Sequence, residues 1–117
     1  KDGTFKNIAK AAGVSVEVFA KGCAVADFNN DGWEDFYVSC LGEVNLLFEN
    51  QGVTNEGIPR FRNVAQSAGV EEPLSSFPCW FFDYDNDGLQ DIFVADFDPL
   101  GFSNMGGLVA LEMNSFN

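Results

Sequence analysis

Three observations predict an all-β protein built from tandem repeats. "FKNIAKAAGV" (5–14) returns as "FRNVAQSAGV" (61–70), 56 residues later. The acidic strings "DFNNDGWED" (27–35) and "DYDNDGLQD" (83–91) stand at the same offset. Each string lies between short apolar runs rich in β-formers, the pattern of two strands joined by an Asn/Asp/Gly loop. Residues 5–38 and 61–94 align without a gap, and 13 of the 34 positions are identical. Chance does not produce that agreement, so the chain carries an internal duplication. Units of this length bury their apolar faces by stacking on one another.

The elements follow in order. Residues 4–9 match 60–65 and predict a strand, the last of a preceding unit, with a connector to residue 20. "CAVADF" (23–28) enters the first acidic loop and "DFYVSC" (35–40) leaves it. "VNLLFEN" (44–50) is a third strand, "QGVTNEGIP" (51–59) a turn-rich connector, and "RFRNVA" (60–65) a fourth strand. "AQSAGV" holds a helical turn that ends at Gly69, a usual C-cap residue. The second copy repeats the pattern with "PCWFF" (78–82) and "DIFVADF" (91–97). After the Gly-rich "PLGFSNMGG" (99–107), its third strand is "GLVALEM" (107–113). Four short strands per unit suggest a blade of a β-propeller. The predicted organisation is therefore 1–20, a last strand plus connector; 21–76, a full repeat; and 77–117, a second, incomplete repeat. Two such units do not close a ring, so further repeats or further copies of the chain are expected at the open strand edges.

Composition narrows the function. Hydrophobic residues make up 46% of the 117, enough for a core, and no apolar run is long enough to span a membrane. The net charge of −12 repels phosphate, so nucleic acid is not an expected partner, and it attracts cations. There is no His, which removes imidazole-based triads and most zinc sites. Cys23, Cys40 and Cys79 form no CxxC pair. Each lies in an apolar run, which favours three buried thiols over one disulfide with a thiol left over.

The acidic loops fit D-x-[DN]-x-D-G-x-x-D, a spacing suited to a hard cation. In a tightly curled loop the side chains at positions 1, 3 and 5 turn inward, Gly at position 6 permits the bend, and the carbonyl at position 7 faces the same centre. An Asp at position 9 completes the cage. The expected ligands are Asp27, Asn29, Asp31, the Trp33 carbonyl and Asp35 in the first loop. In the second they are Asp83, Asp85, Asp87, the Leu89 carbonyl and Asp91. All are oxygens, a donor set that suits Ca²⁺ over Mg²⁺ or a transition metal. Two calcium sites are expected, the second tighter because it has four carboxylates to the first one's three. The competing reading is a pair of acidic turns that bind nothing, which duplication of the whole pattern disfavours. An EF-hand needs an acid at position 12, where this chain has Val38 and Val94.

Other candidates are weaker. Asp96 and Asp98 have no acidic counterparts at Cys40 and Gly42, and are expected to be solvated turn residues before ligand contacts. Glu71 and Glu72 read as a surface pair. Trp80, inside "PCWFF", is expected in the core, and Trp33, at loop position 7, at the surface, where either could stack on a sugar.

"DFNNDGWEDFYV" and "DYDNDGLQDIFV" resemble the calcium loop and following strand of FG-GAP/VCBS-type propeller repeats. "NLLFENQG…PRFRNVAQSAGV" is similar to the strand pair that follows in the ASPIC/UnbV, cartilage acidic protein-like, branch, and "KDGTFKNIAKAAGV" fits the same register. The resemblance covers roughly residues 2 to 95. It implies calcium-stabilised blades, an extracellular or periplasmic setting, and a part in adhesion or scaffolding, with cell-surface proteins or glycans as partners and no catalysis. It carries the ligand roles onto the ten loop positions named above. Two departures stand out. Asn29 replaces a frequent Asp, and family rings hold about seven blades where this chain has about two. An ASPIC/UnbV domain is not recognisable here. A self-assembling subunit that pairs through open strand edges, and a carbohydrate-binding or carbohydrate-active domain, are the alternative readings.

Overall fold

The computed structural model describes residues 2–96 and the backbone of residues 108–111. It is an all-β protein of two antiparallel sheets. The first has the order β1 (Ala20–Ala26), β2 (Asp35–Cys40), β3 (Leu46–Val53), β4 (Pro59–Asn63). The second has the order β5 (Ser76–Phe82), β6 (Asp91–Asp96), β7 (Leu108–Leu111). Two four-residue helices, α1 (Ala9–Ala12) and α2 (Ala65–Ala68), precede the sheets. Neighbouring strands are consecutive in sequence, so each sheet is a simple meander, and the sheets do not close into a barrel.

The helical turn expected before Gly69 is α2. It stops there because Gly69 adopts φ 71°, a left-handed conformation that lets its N–H cap the Ala65 and Gln66 carbonyls. Gly13 ends α1 in the same way. Some bounds shift. β3 runs on into "QGV", past a bulge between Asn50 and Val53, where Gly52 takes φ 84°. β1 starts at Ala20 and ends where the acidic loop begins.

The strand expected over residues 4–9 does not form. Residues 4–8 join neither sheet, and Phe5 is fully exposed. A strand needs a neighbour for its N–H and C=O groups. Its repeat counterpart, β4, finds one in β3, and no described strand is in that position for residues 4–8. Residues 108–111 of the expected third strand of the second copy (107–113) form β7, while its ends, the loop 99–107 and Asp98 lie outside the described residues.

Alternation along the strands gives each sheet two distinct faces. Tyr37, Ser39 and Leu47 point to one face of the first sheet and are fully buried. They pack on Ile92 and Val94, also fully buried, and on the half-buried Cys79 and Phe81 of the second sheet. Phe28, from the first acidic loop, and Val64, Ala65 and Val70, from the connector between the sheets, complete this core. Burying one such Leu or Ile contributes about 1.5–3 kcal/mol. The opposite face of the first sheet carries a smaller cluster of Cys40, Leu46 and Phe48, edged by Val14, Val18, Phe36 and Phe61. Phe36 stacks on Phe48 with centroids 4.9 Å apart.

Polar pins fix how the sheets meet. The Tyr37 hydroxyl donates to the Val70 carbonyl (3.0 Å), and burial pushes its pKa well above the ordinary phenol value. The Ser39 hydroxyl donates to the Phe77 carbonyl across the sheet interface. Asn45, fully buried, accepts from the Cys40 N–H (2.8 Å) and donates to the Pro73 carbonyl (3.0 Å). Gly22 lies at the closest approach. A Cβ there would stand 2.8 Å from the Ser39 hydroxyl oxygen and 3.0 Å from the Phe77 carbonyl oxygen.

Two expected burials are corrected. Trp80 is 46% exposed, because the alternation of β5 points it away from the first sheet while its neighbours Cys79 and Phe81 point inward. All three cysteines are free thiols, but only Cys40 is buried; Cys23 is exposed and Cys79 half-buried. Burial raises the pKa of each. Glu72 is exposed and Glu71 half-buried. No helix among the described residues is long and apolar enough to cross a membrane.

Candidate metal centre

The two acidic loops join β1 to β2 and β5 to β6. Their shape comes from carboxylates holding backbone N–H groups of their own loop. In the first, Asp27 accepts from Asp31 N–H (3.0 Å) and Gly32 N–H (2.8 Å). Asn29 accepts from Asp31 N–H (3.2 Å), and Asp31 from Trp33 N–H (2.8 Å). Asp35 closes the loop by accepting from Phe28 N–H (3.1 Å).

The second loop repeats every one of these bonds 56 residues on. Asp83 accepts from Asp87 N–H (3.1 Å) and Gly88 N–H (3.0 Å). Asp85 accepts from Asp87 N–H (3.1 Å), Asp87 from Leu89 N–H (2.8 Å), and Asp91 from Tyr84 N–H (2.8 Å). Both loops need left-handed backbone at two positions: Asn30 (φ 55°) with Gly32 (φ 88°), and Asn86 (φ 60°) with Gly88 (φ 87°). Asn tolerates that region better than most residues and Gly adopts it freely, which is why these residues stand there.

The donors differ in how they are gathered. Asp83, Asp85 and Asp91 each place a carboxylate oxygen within 4.8 Å of the others. Oxygens bound to one Ca²⁺ at about 2.3–2.6 Å lie at most about 5 Å apart, so this trio fits a single ion. Asp87 is outside the trio, and one of its oxygens accepts from Leu89 N–H. The first loop has an amide, Asn29, where the second has Asp85, so it has no matching trio of charged groups. Trp33 and Leu89, expected to ligate through their carbonyls, enter the network through their N–H groups. Trp33 is 43% exposed, as its loop position predicts.

Sequence reasoning missed the support behind the first loop. Asp35 is fully buried, and its second oxygen accepts from Asn50 N–H on β3 (2.7 Å). The Asn50 side chain in turn donates to the Glu34 carbonyl (3.0 Å) and accepts from Gly52 N–H (2.9 Å). Asp35 thus ties the loop to the third strand. Burial pushes its pKa up to about 6, against the two backbone bonds, which pull it down; Asp31 and Asp27 add to the rise. Glu49 accepts from the Asn29 amide (3.3 Å), from Gln51 (2.6 Å) and from Arg62 (2.8 Å), so the Asn29 side chain is oriented from β3. A cleft beside the loop is lined by Phe28, Asn29, Glu49, Arg62, Val64 and Ser67. The only trace of Asn50 and Glu49 in the sequence was the "FEN" of the third strand, which pattern alone does not tie to the loop.

The loops are neighbours in space. The Asn30 amide donates to the Gly88 carbonyl at 3.3 Å. Their carboxylates therefore share one end of the sheets, where a cation in either loop would relieve repulsion on both.

Fold and site together define a tandem-repeat all-β protein with an acidic, oxygen-lined loop in each copy. Cartilage acidic protein 1 of Xenopus tropicalis is similar, 34% identical over 94 residues. The match covers 79% of this chain and 14% of that protein, so the chain spans about a seventh of the curated relative's length. No protein-family model matches the chain.

Proposed function

We propose that this chain is a calcium-stabilised structural repeat module of propeller-blade, FG-GAP/VCBS type, working outside the cell in adhesion or scaffolding. The observation that carries it is the second loop's trio, Asp83, Asp85 and Asp91, gathered within reach of one ion. The duplicated hydrogen-bond network supports extending the same role to Asp27, Asn29, Asp31 and Asp35. Calcium would hold each hairpin closed and neutralise carboxylates that otherwise repel. Two ions would bring the formal charge from −12 to −8. The extracellular setting rests on the loop resemblance and on the likeness to a protein named for cartilage and acidity. The non-catalytic reading rests on the loop resemblance and on loop carboxylates engaged with their own backbone. The field of the acidic surface argues against nucleic-acid partners.

Calorimetric titration of chelated, refolded protein with calcium, beside thermal melts, tests the reading. Two bound equivalents are expected, with dissociation constants on the order of 10⁻⁴–10⁻³ M. At a hundredfold excess over the dissociation constant, each site adds about 2.7 kcal/mol of stability. Asp85→Asn should weaken one site and leave the other. No heat and no shift of the melt at millimolar calcium would refute it.

A further inference from the structure

The loops differ at their third position, Asn29 in the first and Asp85 in the second. An amide offers a cation one oxygen, and its NH₂ repels it, so Asn ligates in only one of its two orientations. The groups around Asn29 therefore decide whether it can serve. Its oxygen accepts from the Asp31 N–H at 3.2 Å, as Asp85 accepts from the Asp87 N–H. Its NH₂ donates to an Asp31 carboxylate oxygen (3.1 Å) and to Glu49 on β3 (3.3 Å). Asp31 is itself an expected ligand, so there the NH₂ competes with the ion. Glu49 is the acceptor outside the ligand set. It is held in turn: its other oxygen accepts from Gln51 (2.6 Å) and from its cross-strand partner Arg62 on β4 (2.8 Å). The Glu49 side chain is 19% exposed, against 66% for Arg62.

We propose, on the calcium reading above, that Glu49 is a positioning residue for the first cation site. By taking the Asn29 NH₂ it keeps the amide oxygen turned into the loop. Asn29 and Glu49 together then do what Asp85 does alone. The same contact explains why position 29 holds an amide. An Asp there would set a carboxylate oxygen where the NH₂ now stands, 3.3 Å from Glu49, and like charges that close disfavour each other. Counting carboxylates predicts that Asn29→Asp tightens the site; the Glu49 contact predicts that it does not. Exchanging donor and acceptor reverses the outcome. In Glu49→Gln, the donors Arg62 and Gln51 claim the new amide's oxygen and turn its NH₂ toward residue 29. That NH₂ meets another NH₂ in the single variant, and a carboxylate when Asn29→Asp is added.

Calcium titration of the full chain by two-dimensional NMR tests this. The backbone amides of Gly32 and Gly88, bonded to Asp27 and Asp83, report the two loops separately. Glu49→Gln should weaken the affinity read at Gly32 by about tenfold and leave that at Gly88. Asn29→Asp alone should not tighten the first site, while Asn29→Asp with Glu49→Gln should bind about tenfold more tightly than Glu49→Gln. Arg62→Met keeps Glu49 and should not weaken the site, which separates positioning from an ion pair that only braces β3 on β4. Melts in EDTA check the fold, and Glu49→Ala replaces Glu49→Gln if it is disturbed. An unchanged affinity in Glu49→Gln, a tightening by Asn29→Asp whatever stands at position 49, or a loss in Arg62→Met equal to that in Glu49→Gln would each overturn the proposal alone. Wild-type glycine signals that do not move with calcium would overturn the calcium reading as well.

Discussion

Replacing Asp35 with Ala in calcium-free buffer should cost far more than the same change at its repeat partner, Asp91. Asp35 is fully buried and its two oxygens accept backbone bonds from Phe28 (3.1 Å) and Asn50 (2.7 Å). Those residues are 5% and 8% exposed, so water does not readily replace the lost acceptor. Each buried N–H left unsatisfied costs about 1–3 kcal/mol, for a loss of about 2–5 kcal/mol. Removing a carboxylate whose charge is disfavoured by burial moves the value toward the lower end. Asp91 is half-buried, with one described bond, to the N–H of Tyr84, a residue 62% exposed. Its loss should cost about 1 kcal/mol or less. Urea unfolding followed by far-UV circular dichroism in EDTA measures both. Equal losses would show that Asp35 does not bind the loop to β3 and would refute the assignment.

Other expectations follow from the same contacts. Gly22→Ala should destabilise by about 1–3 kcal/mol, since its Cβ would meet Ser39 and backbone at the sheet contact; a thermal melt reads this. Leu47→Ala should cost about 2–5 kcal/mol by urea unfolding, because the side chain is fully buried in the core between the sheets. In calcium-free buffer, the raised pKa of Asp35 gives stability that is present below about pH 4 and lost as pH rises through about 6. The urea midpoint should fall over that window, and Asp35→Asn should flatten the profile. Tyr37→Phe should cost about 1 kcal/mol by losing the bond to Val70.

The repeat, the strands around each acidic loop and the curled shape of both loops were legible in the sequence, because they depend on local order. Alternation marks a strand, and Asx and Gly at fixed spacing curl a loop whatever surrounds it; the matching hydrogen bonds of both loops reflect this. Residues 4–8 show where local order stops: their pattern matches β4, and with no neighbouring strand among the described residues they form none. Likewise, the apolar run "PCWFF" does not tell which of its alternating side chains will be covered. Packing of unlike faces turned Cys79 and Phe81 inward and left Trp80 in solvent. It also let β3 reach Asp35 through Asn50, which no spacing reveals. Periodicity along the chain says which residues share a face; only the meeting of two sheets decides which face is buried and which backbone groups a carboxylate must satisfy.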